Sequence, residues 1–298
     1  MSVFARPTRL SPAVRATALT VLAAAALGTS GCSVSGPEHS DPHVFAWNGP
    51  LAAPGRVELR NMNGTIEVKP STDDIVHVTA SARWHKGNPK TDLHFVVTNE
   101  GGTVRICVLW RKGSCTASNY TTEPSFVTGF FKRGTDANVT LTVLVPTSIR
   151  VDAQTINGSV DVASTAPVTA KTLNGDVRVA TAVGPVTGES VNGSVDIRMT
   201  TLGEDGPVRA ATVNGSAAAY LPAKLDATIT LAAMNGTVGS DFAVLSSGST
   251  SERHSIKGAI GAGGRLVKVE AVNGSSWLHM LNSDGTVAKA ASGKPETP

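Results

Sequence analysis

The words "TINGSVDV", "TLNGDVRV" and "SVNGSVDI" follow one another down the chain. "NMNGTIEV", "TVNGSAAA", "AMNGTVGS" and "AVNGSSWL" repeat their pattern. The seven pairs are Asn63-Gly64, Asn157-Gly158, Asn174-Gly175, Asn192-Gly193, Asn214-Gly215, Asn235-Gly236 and Asn273-Gly274. Asn-Gly between alternating apolar runs is a strong local signal for a β-hairpin, but the spacing points elsewhere. The central pairs are separated by 17, 18, 22 and 21 residues. That period suits one coil of a β-solenoid. The last step is 38 residues, about two periods, as if a coil in between had lost its marker.

Side-chain parity separates the two readings. Ile156, Val160 and Val162 lie at odd offsets from Asn157, and polar Thr155, Ser159 and Asp161 at even ones. Leu173, Val177 and Val179 repeat this, as do Val191, Val195 and Ile197. A two-residue hairpin would set Leu173 beside Asp176 and mix the faces. A chain running extended through Asn-Gly would send every apolar residue one way. The expectation is therefore an all-β chain forming a single solenoid over residues 51–282, its Asn-Gly pairs serving as bends; a hairpin meander is the alternative. Asn and Gly both tolerate positive φ. Stacked asparagines would also hydrogen-bond as a ladder, unless φ tolerance alone explains them.

The first 31 residues read as an export signal. Arg6, Arg9 and Arg15 precede "TALTVLAAAALG", an apolar run too short to span a bilayer. "TSGC" then resembles the bacterial lipobox, which makes Cys32 the lipidation site; Thr29 departs from that pattern, which prefers Leu. Signal-peptidase cleavage near Ala26, leaving a free thiol at Cys32, is the alternative. Cys107 and Cys115 remain, and in an oxidising envelope they are expected to pair across a short hairpin. Without the three signal arginines, basic and acidic residues are equal in number, 23 each. That balance argues against nucleic acid as a partner and against electrostatic binding to anionic lipid. Val, Ala, Thr and Gly dominate while aromatics are 4% of residues, which favours a thin interior of small side chains.

Residues 32–50 read as a polar tether, with Trp47 and Leu51 capping the open end of the solenoid. Pro37 and Pro42 argue against a metal site from Glu38, His39, Asp41 and His43. Periodicity fails over residues 116–136, an insertion carrying Tyr120, Phe126, Phe130 and Phe131. These are candidates for partner contact, the alternative being aromatics folded back on the wall. Residues 283–298 read as a disordered tail. The glycines of "IKGAIGAGGR" lack phosphate-loop spacing and read as a bend.

On "VTLTVLVPTSIRVDAQTINGSVDV" and "IKGAIGAGGRLVKVEAVNGS", roughly residues 55–281 resemble the bacterial envelope proteins grouped as domain of unknown function 4097, described as adhesins. The final repeat departs from the pattern at Ser276, where Val or Ile is expected. The resemblance implies a β-solenoid at the cell envelope and brings no catalytic or ligand residues.

No catalytic motif, metal-ligand spacing or cofactor loop emerges, so no enzyme activity, metal or cofactor is expected. Asp161, Asp176 and Asp196 share outward parity with Arg178 and Arg198, which reads as a solvated face. The expectation is a lipid-anchored envelope scaffold or adhesin, held in the outer membrane in a Gram-negative cell, presenting its wall to a glycan or an envelope protein. The alternatives are a polysaccharide-cleaving β-helix enzyme and an envelope-stress accessory protein.

Overall fold

The computed structural model describes residues 37–111, 113–117, 119–122, 135–164, 166–203, 206–245 and 254–288. Residues 1–36, which hold the expected export signal and Cys32, lie outside them, as do Phe126, Phe130, Phe131 and residues 289–298. In chain order, the first section holds β1 (His39–Pro50), β2 (Arg56–Arg60), β3 (Ile66–Pro70), β4 (Ile75–Trp84), a one-turn helix α1 (Pro89–Asp92), β5 (Leu93–Glu100), β6 (Thr103–Trp110), β7 (Gly113–Cys115) and β8 (Tyr120–Thr122). The middle section runs β9 (Asn138–Val145), β10 (Arg150–Asn157), β11 (Val160–Ser164), β12 (Val168–Asn174), β13 (Val177–Thr181), β14 (Val186–Asn192), β15 (Val195–Arg198), β16 (Val208–Asn214) and β17 (Ala217–Pro222). The last holds β18 (Ala227–Asn235), β19 (Val238–Ser240), β20 (Ser255–Ile260), β21 (Arg265–Asn273) and β22 (Ser276–Leu281).

Twenty of these strands form two ten-stranded sheets. The front wall has the order β1-β4-β9-β3-β11-β13-β15-β17-β22-β19, and the back wall β20-β18-β21-β16-β14-β12-β10-β2-β6-β5. Each Asn-Gly joins a back-wall strand to a front-wall strand, so the chain winds as a solenoid. Equivalent residues pair in parallel register, Asn157 with Asn174 and Asn174 with Asn192. Leu173 lies on back-wall β12, Asp176 directly precedes front-wall β13, and the two strands do not pair with each other, so the hairpin alternative is excluded.

The parity expectation fails at one position. Within strands the alternation holds: Val168, Ala170 and Thr172 are buried, as are Val177 and Val179. The phase slips at the corner, however. Leu173 is 44% exposed and Met234 69%, with Val191 and Val213 also exposed. The residue before each Asn thus points outward in most coils, and the Thr or Ser before that turns in. Each inward hydroxyl bonds the glycine carbonyl of the preceding coil: Thr172 to Gly158 (2.8 Å), Ser190 to Gly175 (2.8 Å) and Thr212 to Gly193 (2.7 Å). Burying a hydroxyl is tolerable once it is so paired, and this reverses the faces assigned to Thr155, Leu173 and Val191.

The lumen is thin and filled by complementary sizes. One inner lane of the back wall runs Leu59, Ala153, Ala170, Gly188, Ala210, Val269 along successive coils. A Cβ on Gly188 would stand 2.8 Å from Val195 Cγ1 and 3.5 Å from Ile197 Cδ1, so the front wall fills the space that glycine leaves.

The ends correct three further expectations. Residues 39–50, expected within a tether, form β1, which pairs antiparallel with β4 and closes the front wall. Phe45 on β1 stacks on Phe95 of β5 with centroids 4.5 Å apart, so the edge strands of both walls meet across the lumen. Leu51 is buried and Trp47 packs against the core, as a cap requires. At the other end the 38-residue step hides no unmarked coil. After β17 the chain skips one place to lay β18 and β19, returns through antiparallel β20, and fills the gap with β21 and β22. Finally, residues 283–288 belong to a turn that bridges Val287 back to Leu281. The Gly261–Gly264 segment between β20 and β21 is the expected bend, with positive φ at Gly261, Gly263 and Gly264.

Candidate functional site

The Asn-Gly corners are the most regular feature of the molecule. Asparagine Nδ2 donates to the Oδ1 of the neighbouring coil in one unbroken series: Asn157 to Asn63, Asn174 to Asn157, Asn192 to Asn174, Asn214 to Asn192, Asn273 to Asn214 and Asn235 to Asn273, each at 2.7–2.8 Å. The main chain carries the ladder through the same corner, with the Gly175 N–H donating to the Asn192 carbonyl at 2.8 Å. Gly158, Gly175, Gly193, Gly215 and Gly274 have φ of 147–152°. A Cβ on any of them would overlap the glycine carbonyl of the adjacent coil. Both halves of each pair are therefore structural, and since none of the seven asparagines has positive φ, the ladder and not φ tolerance accounts for them.

The Cys107–Cys115 bridge is present, with Cα atoms 6.4 Å apart. It pins the β7–β8 hairpin over the outer face of β6. Tyr120 turns inward there, its hydroxyl donating to the Val108 carbonyl at 2.7 Å, and burial raises its pKa. Tyr120 is thus folded back on the wall. Beneath this cover Glu58 and Arg105 form a buried ion pair at 2.8 Å, and Arg60 pairs with Asp152 at 3.0 Å.

The outer face of the back wall carries a continuous ion-pair network. Glu189 accepts from Lys171 (2.8 Å) and Arg209 (3.1 Å), and Glu270 from Arg209 (2.8 Å) and Lys268 (2.7 Å). Burial would raise both carboxyls, but these cations hold them below their ordinary value. Beside the network runs the outward aliphatic row of Val191, Val213 and Met234, bounding a groove of about 790 Å³.

The front wall is different. Its outer face carries a groove of about 570 Å³ between Asp161, Arg178, Asp196, Arg198 and Tyr220, floored by Ala163 and Ala180. Strand pairing puts Asp161, Arg178 and Asp196 in one lane. Arg178 bonds Asp176 at 2.6 Å and Asp161 at 3.4 Å. Asp196 receives no hydrogen bond among the described residues. Burial pushes its carboxyl pKa up, Arg178 pulls it down, and the Asp176 charge adds to the rise. The three aspartates picked from parity thus do share a face. Parity did not reveal the aromatic row that continues it: Tyr220, His279 and Trp277. Their positions follow the same outward alternation on β17 and β22, which was the available signal. Among the described residues no cluster of His, Cys, Asp and Glu has the geometry of a metal site.

Compared by sequence, the chain matches no family model, that of the family its repeated words resemble included, and no curated protein. Among solved structures it is similar to a "putative cell adhesion protein" of Clostridium sporogenes, with TM-score 0.43 and 11% identity over 80% of this chain and 100% of that one. It is also similar to a "putative adhesin" of Bacteroides fragilis, with TM-score 0.24 and 9% identity over 80% and 96% of the two chains. A third, a "putative adhesin" of Parabacteroides distasonis, has TM-score 0.22 and 10% identity over 83% and 98%.

Proposed function

We propose that this chain is a non-enzymatic, lipid-anchored protein of the cell envelope, an adhesin or scaffold that presents a rigid solenoid wall to a glycan or protein partner. One observation carries the reading. Seven corners are locked in register through both main chain and asparagine side chains, which fixes the spacing of everything displayed on the walls. A preorganised surface loses little conformational entropy on association, so modest contacts repeated along the wall suffice for binding. Anchoring rests on Cys32 in "TSGC"; a diacylated or triacylated cysteine would hold such a wall stably at a membrane.

Two measurements test this. Labelled palmitate supplied to growing cells should enter the wild-type protein and be absent from Cys32→Ala, with the variant released from the membrane fraction. Photo-crosslinking residues placed at outward Ser159 and Ala163 in intact cells should yield discrete envelope adducts. Absence of adducts from both positions would overturn the display role. A second reading, polysaccharide cleavage, is favoured by Asp161 and Asp196 lining one groove, with Asp176 bonded to its Arg178. Turnover of an envelope polysaccharide that disappears in Asp176→Asn would establish it instead.

A further inference from the structure

The aromatic row on the front wall is held at every member. Trp277 lies against Gly239, where a Cβ would overlap the indole ring, so glycine is what lets the ring settle on that strand. His279 runs nearly parallel to Trp277 and Tyr220, with centroids 5.5 and 4.9 Å away. Asp241 fixes the His279 ring from Nδ1 at 3.0 Å. Arg198 sits over Tyr220, 5.0 Å from its centroid, and is tied by its own donor to the Gly285 carbonyl at 2.6 Å. Trp277 is 36% exposed and, with His279 and Tyr220, makes a contiguous aromatic surface rather than a single exposed side chain.

Beside this row the groove supplies the complementary chemistry. Asp196 is a half-buried carboxylate with acceptor capacity unspent, and Arg178 and Arg198 are fixed donors across the same opening. Ala163 and Ala180 keep the floor low. The groove spans the coils from Val68 to Tyr220, which repeat at ~4.8 Å.

We propose that this groove and the aromatic row together form a binding site for a neutral, linear oligosaccharide; the proposal rests on the display role argued above. A pyranose presents hydroxyls at its rim and C–H bonds on its faces. Carboxylate and guanidinium groups bond the first, and the exposed part of the Trp277 ring, which His279 braces by stacking, attracts the second. Three carboxylates, Glu67, Asp161 and Asp196, and three cations, Lys69, Arg178 and Arg198, line the groove, and that balance disfavours a polyanion or a polycation. A protein partner is the weaker candidate, because protein interfaces are depleted of charge at their core and six charged side chains line this groove. The strand repeat is also close to the advance per unit of an extended β-linked sugar chain, so successive sugars meet successive coils.

The test titrates the full chain, held in detergent micelles, with cellohexaose, chitohexaose and polygalacturonate, following tryptophan fluorescence and heat. At least one neutral hexasaccharide should bind saturably and at least tenfold more tightly than polygalacturonate. Trp277→Ala and Asp196→Asn should each weaken that binding tenfold or more, about 1.4 kcal/mol. Leu173→Ser, on the opposite wall, should leave it unchanged, with circular dichroism reporting the fold of every variant. No binding of either neutral sugar at millimolar concentration, preference for polygalacturonate, or binding that survives both substitutions would overturn the site. If front-wall crosslinks to proteins form while neither sugar binds, the oligosaccharide site falls and the display role stands. If both fail, both fall.

Discussion

Asparagine at the corner does two jobs at once. Its amide donates and accepts in one plane, so each interior member of the ladder both gives and receives a bond at 2.7–2.8 Å. Asn174→Ala removes two such bonds, and at ~0.5–1.5 kcal/mol each the variant should lose about 1–2 kcal/mol in urea denaturation. Gly175→Ala should cost more, about 3 kcal/mol or above, because it combines a φ of 147° with a methyl directed at the Gly158 carbonyl. Asp196 gives a prediction of the opposite sign. Burial raises its folded pKa, so the folded state binds the proton more tightly than the unfolded chain, whose Asp titrates at ~3.9. The groove charges facing it, Arg178, Asp176, Arg198 and His279, leave that balance on the side of destabilisation once it ionises. Asp196→Asn should therefore melt higher than wild type at pH 7, with the gap closing below about pH 4. The ladder and the winding were legible in sequence because identical residues at a fixed period leave few other geometries. The facing of Leu173 was not, because a corner need not conserve strand parity: the inward place went to Thr172, whose hydroxyl the Gly158 carbonyl could satisfy.

At the scale of elements, what the sequence hid was what lies on top of what. β1 looked like a tether because its alternation is broken by Pro42, yet an edge strand needs only one bonded side, and β4 supplies it. The insertion looked like an open loop because nothing in "CVLWRKGSC" says which face it will cover. In the fold, the bridged β7–β8 hairpin seals the outer face of β6, and β6 is consequently buried on both sides. Sealing makes the Glu58–Arg105 pair beneath it consequential. Removing one partner strands a charge, so Arg105→Met should destabilise by about 3–5 kcal/mol, whereas the double variant Glu58→Met with Arg105→Met should recover most of that loss. Thermal or urea unfolding of the three chains checks it, and equal losses in the single and double variants would show that the cover does not exclude water. Front-wall aromatics escaped notice for a related reason: Tyr220 is 57 residues from Trp277 in sequence, and only the skipped coil brings β17 beside β22.

That skipped coil also determines how the whole molecule responds to being shortened. In a solenoid each coil touches only its neighbours, and stability is close to a sum of coil and interface contributions. Deleting residues 175–192 removes one 18-residue period and joins Asn174 to Gly193, which recreates the corner. The neighbouring lanes still match in kind, Val160 and Val177 giving way to Val160 and Val195. The shortened chain should fold cooperatively with its asparagine ladder intact and with stability lower by roughly one coil's share. Ending the chain at Leu245 removes more residues but a different kind of contact. Both back-wall neighbours of β18, antiparallel β20 and parallel β21, lie beyond that point, as does β22, the partner of β19. Ala227 to Ser240 would then have no ladder to join, and β16 and β17 would become open edges. Limited proteolysis should accordingly cut the truncated chain within 227–245 and spare the coil-deleted one. Equal resistance in the two would mean that the final coils are held by something other than the out-of-order pairing that places β21 and β22 between their older neighbours.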